Sequence, residues 1–236
     1  MLAENPAKKF PDVAFILNVD DFAACPAGRC KAPVFSLFKR WDGVHDLDQD
    51  ILVPFMMATM WQQLHSVPWA DKVPKGFARY GWYHRGMNAT CQRYKLQLLS
   101  TSEQGQGVLD VGFYKIEHPE FQHVATAEKV DFELWAKWSF LISTDGVTCS
   151  TIFGKLLWLN SVVLKYDSVH IEWFYRSLRA GVHYLRVNDA SIVQTILDAS
   201  DQQSDAALCK MVAKGQEFAF RWVQVPCRQS ARVLST

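Results

Sequence analysis

Residues Ser139 to Lys155 read SFLISTDGVTCSTIFGK. A short apolar run over 140–143 ends in a polar turn around Gly146, and a helix-compatible stretch follows over 151–159. Apolar runs of this length that stop at a turn signal mark buried strands, so the stretch reads as one strand–turn–helix unit. In an open α/β sheet, ligands sit outside the carboxyl ends of the strands, and backbone N–H groups where a helix begins favour phosphate oxygens. The turn is therefore in a position to hold a phosphate. It carries neither G-x-G-x-x-G nor G-x-x-x-x-G-K-[ST], so an ordinary strand-to-helix turn fits these residues as well as a nucleotide site does.

The same alternation runs along the chain. Further strands are expected at 13–18, 34–38, 108–116, 162–165 and 182–187, and helices at 51–64, 89–99, 170–177, 191–200 and 204–223. Strands alternating with helices predict an α/β protein with a mainly parallel sheet. The polar segment 66–75, with Pro68 and Pro74, reads as a linker between a short first unit and a longer second one.

Composition narrows the function classes. With 49% hydrophobic and 21% charged residues the 236-residue chain is of globular type. Its formal charge of +1 supplies no field for holding nucleic acid or an anionic membrane. No apolar run is long enough to span a bilayer and no signal peptide is visible at the start, where 10–11 lead straight into the first expected strand, as in a fragment. Of six cysteines, Cys25 and Cys30 are spaced for a local disulfide, and no second pair at ligand spacing suggests a zinc site.

Four segments are candidates for chemistry. Gly146, Val147, Thr148, Cys149 and Ser150 form the turn already described. Arg85, ahead of Gly86 and Met87, and Arg93 are placed to converge on a diphosphate, with two solvated arginines as the plain alternative. Asp20 and Asp21 follow the first strand, where a carboxylate serves as a general base or simply starts a turn. Glu172 lies among aromatics, suited to sugar or ribose hydroxyls or to helix packing.

Taken in order, PDVAFILNVDDF (11–22), PVFSLFKRWDGVHDLDQDILVP (33–54), YHRGMNATCQR (83–93), FLISTDGVTCSTIFGKLLWLNSVVLK (140–165) and EWFYRSLRAGVHYLRV (172–187) resemble the motifs of glycosyltransferase family 90, the CAP-ten/Rumi-type protein O-glucosyltransferases. The resemblance covers residues 10–222. It implies a GT-B-like α/β fold: a partial, acceptor-side Rossmann-like half over 1–70, a UDP-sugar-binding Rossmann-like half over 76–225, and a tail over 226–236. It also implies inverting, metal-independent transfer of glucose or xylose from a UDP-sugar to a protein or glycan hydroxyl in the endoplasmic reticulum or Golgi lumen, with no cofactor beyond that co-substrate. By position Asp21 matches the family's catalytic Asp. Arg85, Gly86, Met87, Arg93, the turn 146–150 and Glu172 match the donor side.

The chain departs from the family pattern at three telling places. Ile152 stands where the family has an arginine by the donor phosphates, Met87 replaces a serine, and Asp20 replaces an arginine and puts a negative neighbour beside Asp21. Losing such a cation costs ~3–4 kcal/mol of transition-state stabilisation. Lys155 offers charge without the bidentate geometry of arginine. The alternatives are therefore a degenerate or truncated relative that binds without turnover and, outside the family, a regulatory module for purine nucleotides.

Overall fold

The computed structural model describes residues 12–27, 29–54, 65–82, 88–201 and 205–223. Strands β1 (Ile16–Asn18), β2 (Val34–Ser36) and β4 (Ile51–Leu52) make a small parallel sheet in the order β1-β2-β4, with β3 (Lys39–Arg40) outside it. A larger sheet is built from β5 (Val73–Trp82), β6 (Leu109–Ile116), β7 (Trp138–Ser143), β8 (Val162–Tyr166) and β10 (Leu185–Val187). Its order is β10-β8-β7-β5-β6 and every pairing is parallel. Numbered along the chain this is the doubly wound order 2-1-3-4-5, whose direction of winding reverses between β5 and β7. The expected α/β architecture with parallel sheets is present. β9 (His170–Ile171) pairs antiparallel with β3 and joins the chain of the large sheet to that of the small one.

Period-two alternation fills both faces of the large sheet. Ala78, Tyr80 and Trp82 of β5, Phe140 and Ile142 of β7, and Val162, Leu164 and Tyr166 of β8 point to one core, while Phe77, Leu141 and Val163 point to the other. Helices α1 (Gln92–Thr101) and α3 (Ile192–Asp201) cover the first face through Leu96, Ile192, Val193 and Ile196. The short α2 (Phe153–Leu156) covers the second. α4 (Asp205–Phe218) gives Leu208 and Val212 to the first face and Phe218 to the second. The small sheet is barer, with Ile16 and Leu17 of β1 more than half exposed.

Several expected elements are corrected. The segment 66–75 is no loose linker: its last residues begin β5, and Val67 exchanges hydrogen bonds with the Asn160 side chain at 3.0 and 2.7 Å. Pro74 is tolerated inside the strand because β5 has an irregular register against β7 between Val73 and Gly76, and its pairing with β6 begins only at Gly76. Lys72, buried just before β5, donates to Asn160 Oδ1 and Ser161 Oγ at 3.0 Å. The helix expected at 51–64 begins instead as β4, and 55–64 lie outside the described residues. The helix expected at 170–177 is β9 followed by a single 3-10 turn, Tyr175–Ser177. That at 151–159 is the one-turn α2, and the strand at 182–187 shortens to 185–187 behind the turn at Gly181, whose φ of +77° suits glycine. Cys25 and Cys30 form the local disulfide.

Candidate active site

The winding reverses between β5 and β7, and the carboxyl ends of the strands at such a reversal are where doubly wound sheets bind ligands. β7 runs directly into the turn 144–150 there. The turn is closed by Gly146 N–H donating to the Thr148 carbonyl at 3.1 Å, and Thr148, Cys149 and Ser150 are buried while Gly146 and Val147 are half-buried.

Arg93, on the first turn of α1, reaches this turn from across the reversal. Its guanidinium carbon lies 4.8 Å from the centre of the Tyr80 ring, a cation–π contact. A Cβ built on Gly146 would come 3.0–3.2 Å from the guanidinium atoms, so the absence of a side chain at 146 is what lets the arginine lie against the backbone. The Arg93 Nε–H is buried without a hydrogen-bond partner. Burial pushes the Tyr80 hydroxyl up to about 12, so it stays protonated beside Thr144 and Arg93.

Several buried polar atoms on β7 and the turn after it are unpaired. Among the described residues Ser143 Oγ, Asp145 Oδ1 and Ser150 Oγ are buried with no hydrogen-bond partner, while the Tyr80 and Thr144 hydroxyls meet each other and the Tyr166 hydroxyl lies beside Asp189 and Gln92. Native interiors pair nearly all such groups, and an orphan costs ~1–3 kcal/mol, so a concentration of them marks a place that a ligand or water satisfies.

Glu172 lies deeper, 1% exposed, with neither carboxylate oxygen in a well-formed hydrogen bond. Burial raises its pKa to about 8, and the Tyr175 hydroxyl, Lys165 and Lys155 offset that only in part. Burial thus favours its protonated form. Cys149 packs with it, its Sγ 3.0 Å from Tyr175 OH. Burial, then the charges of Glu172 and Asp145, push the thiol well above its ordinary range, so it is inert.

The sequence-based candidates separate into three groups. Arg93, Gly146 to Ser150 and Glu172 cluster at the reversal. Asp21 sits on an exposed bend after β1, its N–H held by Asp20 Oδ1 at 2.7 Å and the bend braced by Asn18 Nδ2 on the Phe22 carbonyl. Among the described residues no hydrogen bond or ion pair joins it to the turn. Arg85, Gly86 and Met87 lie outside the described residues. Ile152 is half-buried and turned into the second core, so nothing cationic replaces the family arginine at that position. Sequence reasoning missed Asp145, Lys165 and His170, which meet as Lys165 Nζ and His170 Nδ1 each come 3.6 Å from the Asp145 carboxylate. A charged residue at the carboxyl end of each of two expected strands was the available signal.

The family model described as glycosyl transferase family 90 matches residues 2–225. The chain belongs to glycosyl transferase family 90. Relatives within it include Protein O-glucosyltransferase 2 of Danio rerio, 30% identical over 233 residues covering 89% of this chain and 44% of that protein. Protein O-glucosyltransferase 1 of Homo sapiens is 25% identical over 243 residues, covering 92% of this chain and 59% of that protein. The family 90 chain thus spans about half the length of these relatives. The crystal structure of TarM aligns with a TM-score of 0.47 at 8% identity over 70% of this chain and 35% of that one. Among the described residues of this family 90 chain, no helix is long and apolar enough to cross a membrane.

One expectation follows for the turn at Gly146. Gly146→Ala should leave stability nearly unchanged, since the added methyl meets only the far end of a flexible side chain. It displaces Arg93, however, and for a turn that holds a nucleotide diphosphate, the role proposed below, UDP affinity should drop by about tenfold, or ~1.4 kcal/mol. Thermal melts and calorimetric titration of the same preparation check both halves.

Proposed function

We propose that this chain is the UDP-sugar-binding part of an inverting, metal-independent glycosyltransferase that moves glucose or xylose to a protein or glycan hydroxyl. The observation that carries the reading is Arg93 lying against the backbone of Gly146 and the ring of Tyr80 at the winding reversal, with its own buried Nε–H and the Ser143 and Ser150 hydroxyls of that strand and turn unpaired. A diphosphate supplies acceptors to Arg93 and to the hydroxyls of Ser143 and Ser150, and the buried Glu172, in its favoured protonated form, has a proton to donate to a sugar or ribose oxygen. In the reaction, the Asp21 carboxylate takes the proton of the acceptor hydroxyl. The acceptor oxygen then bonds to the anomeric carbon as the bond to UDP breaks on the opposite side, inverting the linkage. Arg93 meets the charge that develops on the departing diphosphate. The disulfide Cys25–Cys30 suits an oxidising lumen such as the endoplasmic reticulum or Golgi.

A second reading, a relative that binds a nucleotide or sugar without turnover, is favoured by Ile152, whose side chain is committed to the apolar core. Calorimetric titration with UDP, followed by assays of UDP-glucose and UDP-xylose hydrolysis and transfer with and without chelator, separates them. Micromolar UDP binding lost on Arg93→Ala, together with turnover insensitive to chelator, is the expected result. Absence of UDP binding sinks the enzyme reading, binding without turnover favours the second, and preference for a purine nucleotide points to a regulatory module instead.

A further inference from the structure

Residues Asn88, Ala89 and Thr90 form an Asn-x-Thr triplet, the acceptor pattern for N-linked oligosaccharides, and it occurs once in the chain. The proposed donor site makes no use of it. All three residues are exposed. They lie just ahead of α1, and the Cys91 N–H that opens the helix donates to the Asn88 carbonyl at 2.9 Å. The Asn88 side chain turns its oxygen onto its own loop, where Oδ1 accepts from the Thr90 N–H at 2.9 Å and from the Thr90 hydroxyl at 2.6 Å. Its Nδ2 donates to nothing among the described residues.

The turn itself needs only an acceptor at this position. An aspartate at 88 would take both hydrogen bonds from Thr90, and its charge would suit the positive end of α1, whose first turn has no acidic residue. Asparagine presents instead a primary amide whose nitrogen the fold leaves unpaired. N-glycosylation uses that atom, with a hydroxyl two residues on. The start of α1 is anchored by the Gln92 side chain on Asp189, beyond β10. An oligosaccharide on Asn88 therefore extends from a surface turn and displaces no buried side chain. The Cys25–Cys30 bridge suits the oxidising lumen in which such transfer takes place.

We propose that Asn88 carries an N-linked oligosaccharide. The inference rests on the proposed lumenal location. In the transfer, Asn88 Nδ2 bonds to the anomeric carbon of the first sugar of an oligosaccharide carried on a polyprenyl diphosphate. The bond from that carbon to the diphosphate oxygen breaks and the polyprenyl diphosphate leaves. One amide proton passes to a basic group of the membrane-bound oligosaccharyltransferase.

The test is synthesis of the full chain behind a cleavable leader in the presence of microsomal membranes, alongside its Asn88→Gln, Thr90→Ala and Thr90→Ser variants. Chains protected from added protease are scored for mass that peptide N-glycosidase removes and for oxidation of Cys25 and Cys30. Transfer does not require the folded chain, so a variant that misfolds is still scored. The expected result is glycosidase-sensitive mass on most parent chains, with aspartate left at 88 after its removal. That mass should be lost entirely from Asn88→Gln and Thr90→Ala and kept on part of Thr90→Ser, which retains the hydroxyl. Protected parent chains with the bridge formed and no such mass overturn the inference and leave the lumenal location standing. Mass that persists in Asn88→Gln overturns it as well. Protected chains that carry no such mass and keep Cys25 and Cys30 reduced overturn the lumenal location and the inference together.

Discussion

Replacing Glu172 by Gln should flatten a pH dependence of stability that the parent chain shows between about pH 4.5 and pH 8. The carboxyl is 1% exposed and burial raises its pKa from 4.5 to about 8. Across that interval the folded chain keeps a proton that the unfolded chain has released. Stability contributed by the protonated form is complete below the unfolded pKa and declines as pH rises, until the folded group ionises near pH 8. At 1.36 kcal/mol per pH unit the loss is on the order of several kcal/mol, reduced where Lys165 and Lys155 turn to meet the new charge. Glutamine has nearly the same shape and never ionises, so Glu172→Gln should equal the parent near pH 5 and exceed it clearly at pH 8.5. Urea midpoints at the two pH values are the measurement, and parallel profiles for the two proteins would show that Glu172 ionises freely in the fold. On the proposed function the same acid donates a hydrogen bond to the nucleotide sugar, so UDP binding in the parent should weaken as pH passes 8.

The Phe77→Ala variant should lose about 3–5 kcal/mol of stability. Phe77 is fully buried on β5, stacked on Trp138 with ring centres 3.7 Å apart and meeting Trp135 edge-on at 5.2 Å. It is the described residue of β5 that fills the core on the α2 face. Truncation leaves a cavity between two tryptophans already held by their own strand and 3-10 turn, which have little freedom to collapse into it. Set against the ~5–15 kcal/mol that stabilises a typical protein, this is a fifth or more of the total. For a chain of this length the melting temperature should fall by roughly 6–20 °C. A shift of a degree or two in a scanning calorimeter would show that the second core does not depend on this ring.

Phe77 also shows where sequence reasoning failed. β7 and β8 were legible because strands inside a parallel sheet are buried on both faces and must be apolar throughout, as 140–142 and 162–164 are. β5 is equally central, yet Pro74, Lys75, Gly76, Arg79 and Gly81 break up its pattern. Each interruption has a spatial reason that the sequence does not display. A Cβ on Gly76 would lie 2.7 Å from Ile196 and 2.9 Å from Leu109, so a larger residue does not fit. Arg79 is half-buried, paired at 2.7 Å with Asp110 on the neighbouring strand and donating to the Glu128 and Asp110 carbonyls. The site divides in the same way. The turn 144–150 could be located from its strand and its glycine. Lys165 and His170 could not be assigned to it, because their meeting with Asp145 depends on β7 and β8 being neighbours, which is a property of the winding.

The pairing of β3 with β9 is two residues long, Lys39 with Ile171 and Arg40 with His170. It is reinforced by Arg40 on the buried Asp48 and by Arg176 on Asp46. The strand on the far side of this clasp runs, with no intervening residue, into Glu172. The segment that carries β3 is therefore tethered, through this ladder and through the Trp41 N–H on the Val169 carbonyl at 2.7 Å, to the backbone immediately ahead of the buried acid.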